Sequence, residues 1–271
     1  MQERKEDEFM QHRSIRESLS LIPTKVRGEI RNKLVPWIYT NDHDFAALMP
    51  YIQEAVVKQQ RGTKPRVAVL SGVGAFANVA PYMNVDAIVS VDRNSFVLDQ
   101  VLEMADTIRS SSTLADFESS TRRADFFARM KVVGIEADEY WQMEKASFAD
   151  QHLTASTARY ADCRATLLKT PVLTTQGNFV HEPYVKALAE ALKNTDITYA
   201  SFTDLAEWSP EFFDIIQNLP MTKNAVVVWS TNQNQGKPEA RMSVGLENYI
   251  LEGRAAADNL KGKVTYHAPH V

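Results

Sequence analysis

From Arg66 onward the chain alternates short, β-branched apolar runs with amphipathic helical runs, and this alternation restricts its fold more than any other feature. The runs Val67–Leu70, Ala87–Val91, Pro171–Thr175, Ile197–Ser201 and Ala225–Ser230 are predicted strands, with Val264–His267 as a closing strand. Between and after them, helical patterns fall at Ala75–Tyr82, Ser95–Arg109, 183–193, 209–218 and 240–258. Neighbouring parallel strands need a crossover connection, so strands separated by helices predict a doubly wound, mainly parallel α/β sheet. Such sheets bind ligands outside the carboxyl ends of their strands, where the strand order reverses.

Two stretches lie outside that alternation. Residues 1–60 read as helical: Phe45, Leu48, Met49, Ile52, Ala55 and Val56 recur at helical spacing behind the capping candidates Asn41 and Asp42. Pro50 is expected to break or kink that run. Gly62, Lys64 and Pro65 read as a linker, which divides the chain into a helical N-terminal lid segment, 1–62, and a ligand-binding domain, 63–271. A helical insertion at about 110–169 interrupts the second part, with Phe117, Ala124, Phe127 and Met130 on one face.

Chemistry is expected where the first strand ends, at Ser71-Gly72-Val73-Gly74-Ala75. Two glycines there allow a ligand to approach the backbone more closely than any Cβ would permit. Asp92 ends the second strand eighteen residues beyond Gly74 (92 − 74 = 18). A carboxylate at that place can accept both hydroxyls of an adenosine ribose. A tight turn followed by a helix-capping Asp is the plainer alternative.

These residues, Leu70–Ala75 together with Val91-Asp92-Arg93-Asn94 and two later strand ends, resemble the class I S-adenosylmethionine-dependent methyltransferases. The resemblance covers roughly 66–109 and 170–235 and implies a Rossmann-like fold with S-adenosylmethionine as cofactor or substrate. It places Ser71, Gly72, Gly74, Asp92 and Arg93 around the ligand. It puts Asn178 at the adenine edge and Phe179 on the adenine face, although a β-turn with Asn in it is the simpler reading. The fourth strand end faces the reacting carbon in that family, which makes Ser201, Thr203, Asp204, Glu207 and Trp208 the candidate active-site cluster, with Ser201, Asp204, Glu207 and Tyr184 as catalytic candidates. A carboxylate there can hold an ammonium or act as base, and the indole can attract a sulfonium. Capping of the helix at Ser209-Pro210-Glu211 competes with those roles.

Two departures from the family pattern bear on the reaction. Leu70-Ser71 stands where the family has an acid that handles the methionine amino group. Only about forty residues follow Ser230, so the closing antiparallel hairpin is expected to be short or to lack a strand. The segment Ser201–Trp208 is similar to a motif of the branch that transfers the 3-amino-3-carboxypropyl group in betaine-lipid synthesis. Azetidine-2-carboxylate synthases, which cyclise that chain and release methylthioadenosine, are a related possibility; positioning supplies much of such a step, with Tyr184, Tyr199 and Tyr140 at hand. Methyl transfer to a small molecule is the alternative. A nicotinamide-dependent dehydrogenase, with Ala77 in place of a third glycine, and a non-catalytic nucleotide binder are the other classes considered.

Composition narrows the partners. A formal net charge of −4 without a Lys/Arg block argues against nucleic acid, and no apolar run is long enough for a membrane span. Cys163 is the single cysteine, so intramolecular disulfides and cysteine metal clusters are excluded, and a cytoplasmic location is expected. The six histidines give no spaced ligand set: His267 and His270 sit at the chain end, and His152 and His181 lack partners, so no metal is expected. Trp37 and Tyr39 read as packing between segments.

Overall fold

The computed structural model describes residues 13–27, 45–71, 76–125, 137–202, 211–234 and 237–261. Six strands form one sheet: β1 (Arg66–Ser71), β2 (Ala87–Asp92), β3 (Val172–Gln176), β4 (Asp196–Phe202), β5 (Met221–Asn234) and β6 (Lys237–Val244), in the order β3-β2-β1-β4-β5-β6. All neighbours are parallel except β5 and β6, which form an antiparallel hairpin. This is a Rossmann-like, doubly wound α/β sheet, and its order reverses between β1 and β4.

Both faces of the central strands are covered, which explains why β1 and β2 are apolar almost without interruption. One face carries Ala68, Leu70, Ile88, Val172, Tyr199, Val226 and Val228. On it lie α2 (Phe45–Val57), α3 (Phe76–Met83), α4 (Ser95–Ser110), α5 (Leu114–Glu118), a helical stretch α6 (121–125), α7 (Ala137–Phe148) and α8 (Thr157–Lys169), with α8 against α3 and α4. The other face carries Val67, Val69, Val89, Val91, Ala200, Phe202 and Trp229, under helix α1 (13–20), α9 (Glu182–Ala191), α10 (Phe212–Ile215) and α11 (Leu246–Lys261).

Met49, Ile52 and Val56 pack into the first layer and Ile15, Leu19 and Ile22 into the second, so the described parts of 1–62 are built into the sheet's own cover. Pro50 lies inside α2 without ending it, at an exposed position. In the insertion, Phe117 is buried, whereas Ala124 is exposed and does not share its face; Phe127 and Met130 lie outside the described residues.

Among the described residues β6 is the antiparallel strand that closes the sheet, at a position that differs from the sequence reading; the closing strand expected at Val264–His267 lies outside the described residues. Residues 240–244 are strand, not helix, and α11 starts only at Leu246. Lys237, Pro238, Glu239 and Arg241 give β6 the polar, proline-containing composition of an edge strand, which hides it from an apolar-alternation search. Gly245 makes the switch from strand to helix at φ +87°, and a Cβ there would lie 2.7 Å from the Lys223 carbonyl oxygen. Gly245→Ala is therefore expected to lower stability by about 1–3 kcal/mol in denaturant unfolding. An unchanged midpoint would show that the hairpin relaxes around the extra methyl.

Candidate functional site

The strand tips meet at the carboxyl edge: Ser71 ends β1, Asp92 β2, Gln176 β3 and Phe202 β4. Register places Asp92 beside Gln176 and Ser71 beside Val91, while Ser201 sits between Leu70 of β1 and Val228 of β5. Asp92, Gln176 and Ser201 thus fall on the sheet face that carries α3 and α4, and Ser71 on the opposite one.

Asp92 is held by its own turn. Its Oδ1 accepts the Asn94 backbone N–H at 2.7 Å, and Asn94 Oδ1 accepts Phe96 N–H at 3.1 Å as the N-cap of α4. Burial at the strand tip pushes the Asp92 carboxyl above its ordinary value, against the opposing effects of the Asn94 N–H and Arg93. Such a partly desolvated carboxylate gains from any hydroxyl that donates to it. Arg93, by contrast, is exposed, and its backbone carbonyl is its visible contribution here.

The β3 turn is tied to this one. Gly177 N–H donates to the Asp92 carbonyl at 2.9 Å, and Gln176 Nε2 donates to the Arg93 carbonyl at 3.0 Å. Gly177 is obligatory because a Cβ there would lie 2.0 Å from Cε2 of Tyr184. The Tyr184 ring therefore forms the floor under the β3 turn. Its hydroxyl, fully buried, donates to Thr175 Oγ1 at 3.4 Å, and burial raises its pKa far above that of a free phenol.

Tyr184, a catalytic candidate from sequence, is placed as a buried support whose hydroxyl is turned to Thr175. Phe179, expected on the adenine face, is also in the core. Its ring is 2% exposed and packs edge-on to Phe202 at 5.3 Å within the core, so its face is not offered to an adenine. Asn178 does what its turn requires, with Oδ1 accepting Val180 N–H at 3.1 Å and its carbonyl accepting His181 N–H at 3.0 Å. Asn178 is half-buried just beyond the carboxyl end of β3.

Ser201 is 8% exposed at the end of β4. Ser71 Oγ is buried at the tip of β1 with no hydrogen-bond partner among the described residues. Gly72, Gly74, Thr203, Asp204, Glu207 and Trp208 lie outside the described residues. Gln176 and Gly177 were not picked out from sequence, although a Gln-Gly pair directly after a strand is the kind of signal that marks a strand-tip turn.

Two other sequence candidates resolve into structure. His181 Nδ1 lies 2.7 Å from the Val26 carbonyl, which can only accept, so the Nδ1–H tautomer is assigned and it pins the chain after α1 to the start of α9. Cys163 is buried, and burial pushes its thiol up to about 11, as expected of a packing residue. Among the described residues no three His, Cys, Asp or Glu side chains are grouped to hold a metal, and no helix is long and apolar enough to cross a membrane.

No protein-family model and no curated protein matches the chain. Two structures of the rRNA methyltransferase aviRa from Streptomyces viridochromogenes align with it at 11% identity. One alignment covers 77% of this chain and 87% of that one at a TM-score of 0.42; the other covers 92% and 95% at 0.41. Likeness at this level carries no functional argument.

Gly177→Ala is expected to destabilise the protein by about 1–3 kcal/mol, the cost of overpacking a filled site. Adding Tyr184→Leu to Gly177→Ala should recover part of that loss, because it removes the ring that the new methyl meets. Additive losses in the double variant would contradict the ring-to-glycine contact as the cause.

Proposed function

We propose that this chain is an S-adenosylmethionine-dependent enzyme that binds the nucleoside across the carboxyl edge of β1, β2 and β3. The observation that carries the reading is the half-buried Asp92 carboxylate at the tip of β2, fixed by Asn94 and by the β3 turn, eighteen residues past Gly74 (92 − 74 = 18). Ser71 supports the fit, since a buried hydroxyl without a protein partner is satisfied when a polar ligand group reaches it.

In this reading Asp92 accepts the ribose hydroxyls, and Gly72 and Gly74 leave room for the backbone to approach the ligand. Asn178 meets the adenine edge. Ser201, with Thr203, Asp204 and Glu207 after it in the chain, faces the reacting end, where a carboxylate orients an ammonium or takes a proton from the acceptor. When bound, the sulfonium supplies an electrophilic carbon and a neutral thioether leaving group. A small-molecule acceptor fits the net charge of −4 better than a polyanionic one does.

The finer proposal is that the attacked carbon belongs to the 3-amino-3-carboxypropyl chain, in transfer or in cyclisation to azetidine-2-carboxylate, and not to the methyl group. Its support is that no acid stands at Leu70-Ser71: Leu70 is 1% exposed in the core and Ser71 offers a hydroxyl, so the methionine end must be held differently from that of an ordinary methyl donor. Methyl transfer is the alternative chemistry on the same site.

Mass spectrometry of products separates these reactions. Methylthioadenosine formed without an acceptor indicates cyclisation, acceptor-dependent methylthioadenosine indicates chain transfer, and S-adenosylhomocysteine indicates methyl transfer. A rise in melting temperature with NADH alone would overturn the reading altogether. Asp92→Ala is expected to weaken S-adenosylhomocysteine binding by about 1–3 kcal/mol, roughly 5- to 150-fold, in calorimetric titration. Tyr184→Phe should leave turnover unchanged, and a turnover collapse in a folded variant would return Tyr184 to the list of reacting groups.

A further inference from the structure

A second set of buried polar groups meets on α3, the helix that follows Gly72 and Gly74 in the chain. Asn78, in the first turn of α3 and four residues past Gly74 (78 − 74 = 4), is fully buried. Its Nδ2 donates to Glu144 Oε1 of α7 at 2.5 Å, and its Oδ1 accepts Leu153 N–H at 2.6 Å. Its carbonyl accepts Arg159 Nη2 of α8. Three separate stretches of the inserted region therefore end on one residue.

The groups beside that junction are also buried. Glu144 is 3% exposed and its Oε2 has no partner among the described residues. His152 is 1% exposed and lies with Nε2 3.8 Å from Glu144 Oε1, too far for a hydrogen bond. His152 Nδ1 accepts Thr154 N–H at 3.1 Å, which assigns the ring proton to Nε2. Around the pair, α7 contributes Lys145 and Trp141, the latter edge-on to His152 at 4.8 Å. From α8 comes Arg159, stacked on Tyr82 of α3; the 149–151 turn offers only the exposed Asp150, and α2 presents Phe45 against Phe148.

We propose that this cluster is a proton-sensitive grip on α3: with Glu144 neutral, the inserted helices hold Asn78 and with it α3, and ionisation of Glu144 releases it. A carboxylate here would carry its charge away from water with one hydrogen bond, from Asn78, and with no ion pair closer than His152 at 3.8 Å among the described residues; this arrangement favours opening to water despite Lys145 and Arg159 nearby. Burial accordingly pushes Glu144 up to about 8 and His152 down to about 3, the latter helped by Lys145 and Arg159.

The signs follow from linkage. Opening returns Glu144 to its ordinary 4.5, so opening is favoured as pH rises from 4.5 to about 8. Opening returns His152 to 6.5, so it is favoured as pH falls from 6.5 to about 3. The two effects cancel between 4.5 and 6.5, and Glu144 acts alone from 6.5 to about 8. That the grip governs ligand affinity rests on the nucleoside reading of the glycine turn; that it governs α3 does not.

Hydrogen exchange at the α3 amides, corrected for the intrinsic rate and followed from about pH 5 to 9 without ligand, tests the grip directly. The opening constant should be level to about pH 6.5, rise about tenfold per pH unit to about pH 8, and then level off. Glu144→Gln keeps an acceptor for Asn78 and should abolish the rise. A wild-type profile level through pH 8, or a rise that persists in Glu144→Gln, overturns the proposal. If that variant does not fold, the wild-type profile alone decides. S-adenosylhomocysteine titration over the same range is read separately: affinity that falls with the opening of α3 supports the coupling, while an α3 transition without binding at any pH supports the grip and removes the nucleoside reading.

Discussion

The candidate site depends on one junction, the two hydrogen bonds by which the β3 turn holds the β2 turn: Gly177 N–H to the Asp92 carbonyl and Gln176 Nε2 to the Arg93 carbonyl. They fix the Asp92 backbone from one side while Asn94 fixes its carboxylate from the other. The junction closes only because residue 177 lacks a Cβ and Tyr184 can fill the space beneath it. A carboxylate held this firmly needs no reorganisation when it meets a pair of hydroxyls, which is the use of preorganisation in recognition.

The same logic links the two halves of the first helical layer. α3 starts immediately after residues 72–75, so whatever steadies α3 also steadies the end of β1 from which those residues leave. Asn78 receives that support from Glu144, Leu153 and Arg159. The insertion is therefore a structural partner of the strand-tip geometry, and in the proposed grip its buried acid, Glu144, makes that partnership sensitive to protons.

Much of the fold was readable because buried parallel strands must be apolar on both faces: β1, β2, β4 and the core of β5 stand out as such runs, and the helices between them follow from connectivity. The edge strand β6 was not readable, since Lys237, Pro238 and Glu239 meet the needs of an edge and not those of a core. The place of Asp92 at the tip of β2 was legible from the apolar run that it ends. The orientation of Tyr184 and Phe179 was not legible, because sequence shows that an aromatic residue is near a strand tip but not which way its ring points; here both rings point into the second core. The Gln176–Arg93 and Asn78–Glu144 contacts span 83 and 66 positions, beyond the reach of any local pattern.

A crystal structure of the protein with S-adenosylhomocysteine tests the central claim most directly. The account predicts the two ribose hydroxyls within hydrogen-bond distance of the Asp92 carboxylate, about 2.5–3.0 Å, with the β2–β3 junction unchanged. A nucleoside bound elsewhere, or an Asp92 carboxylate facing away from it, would contradict the account.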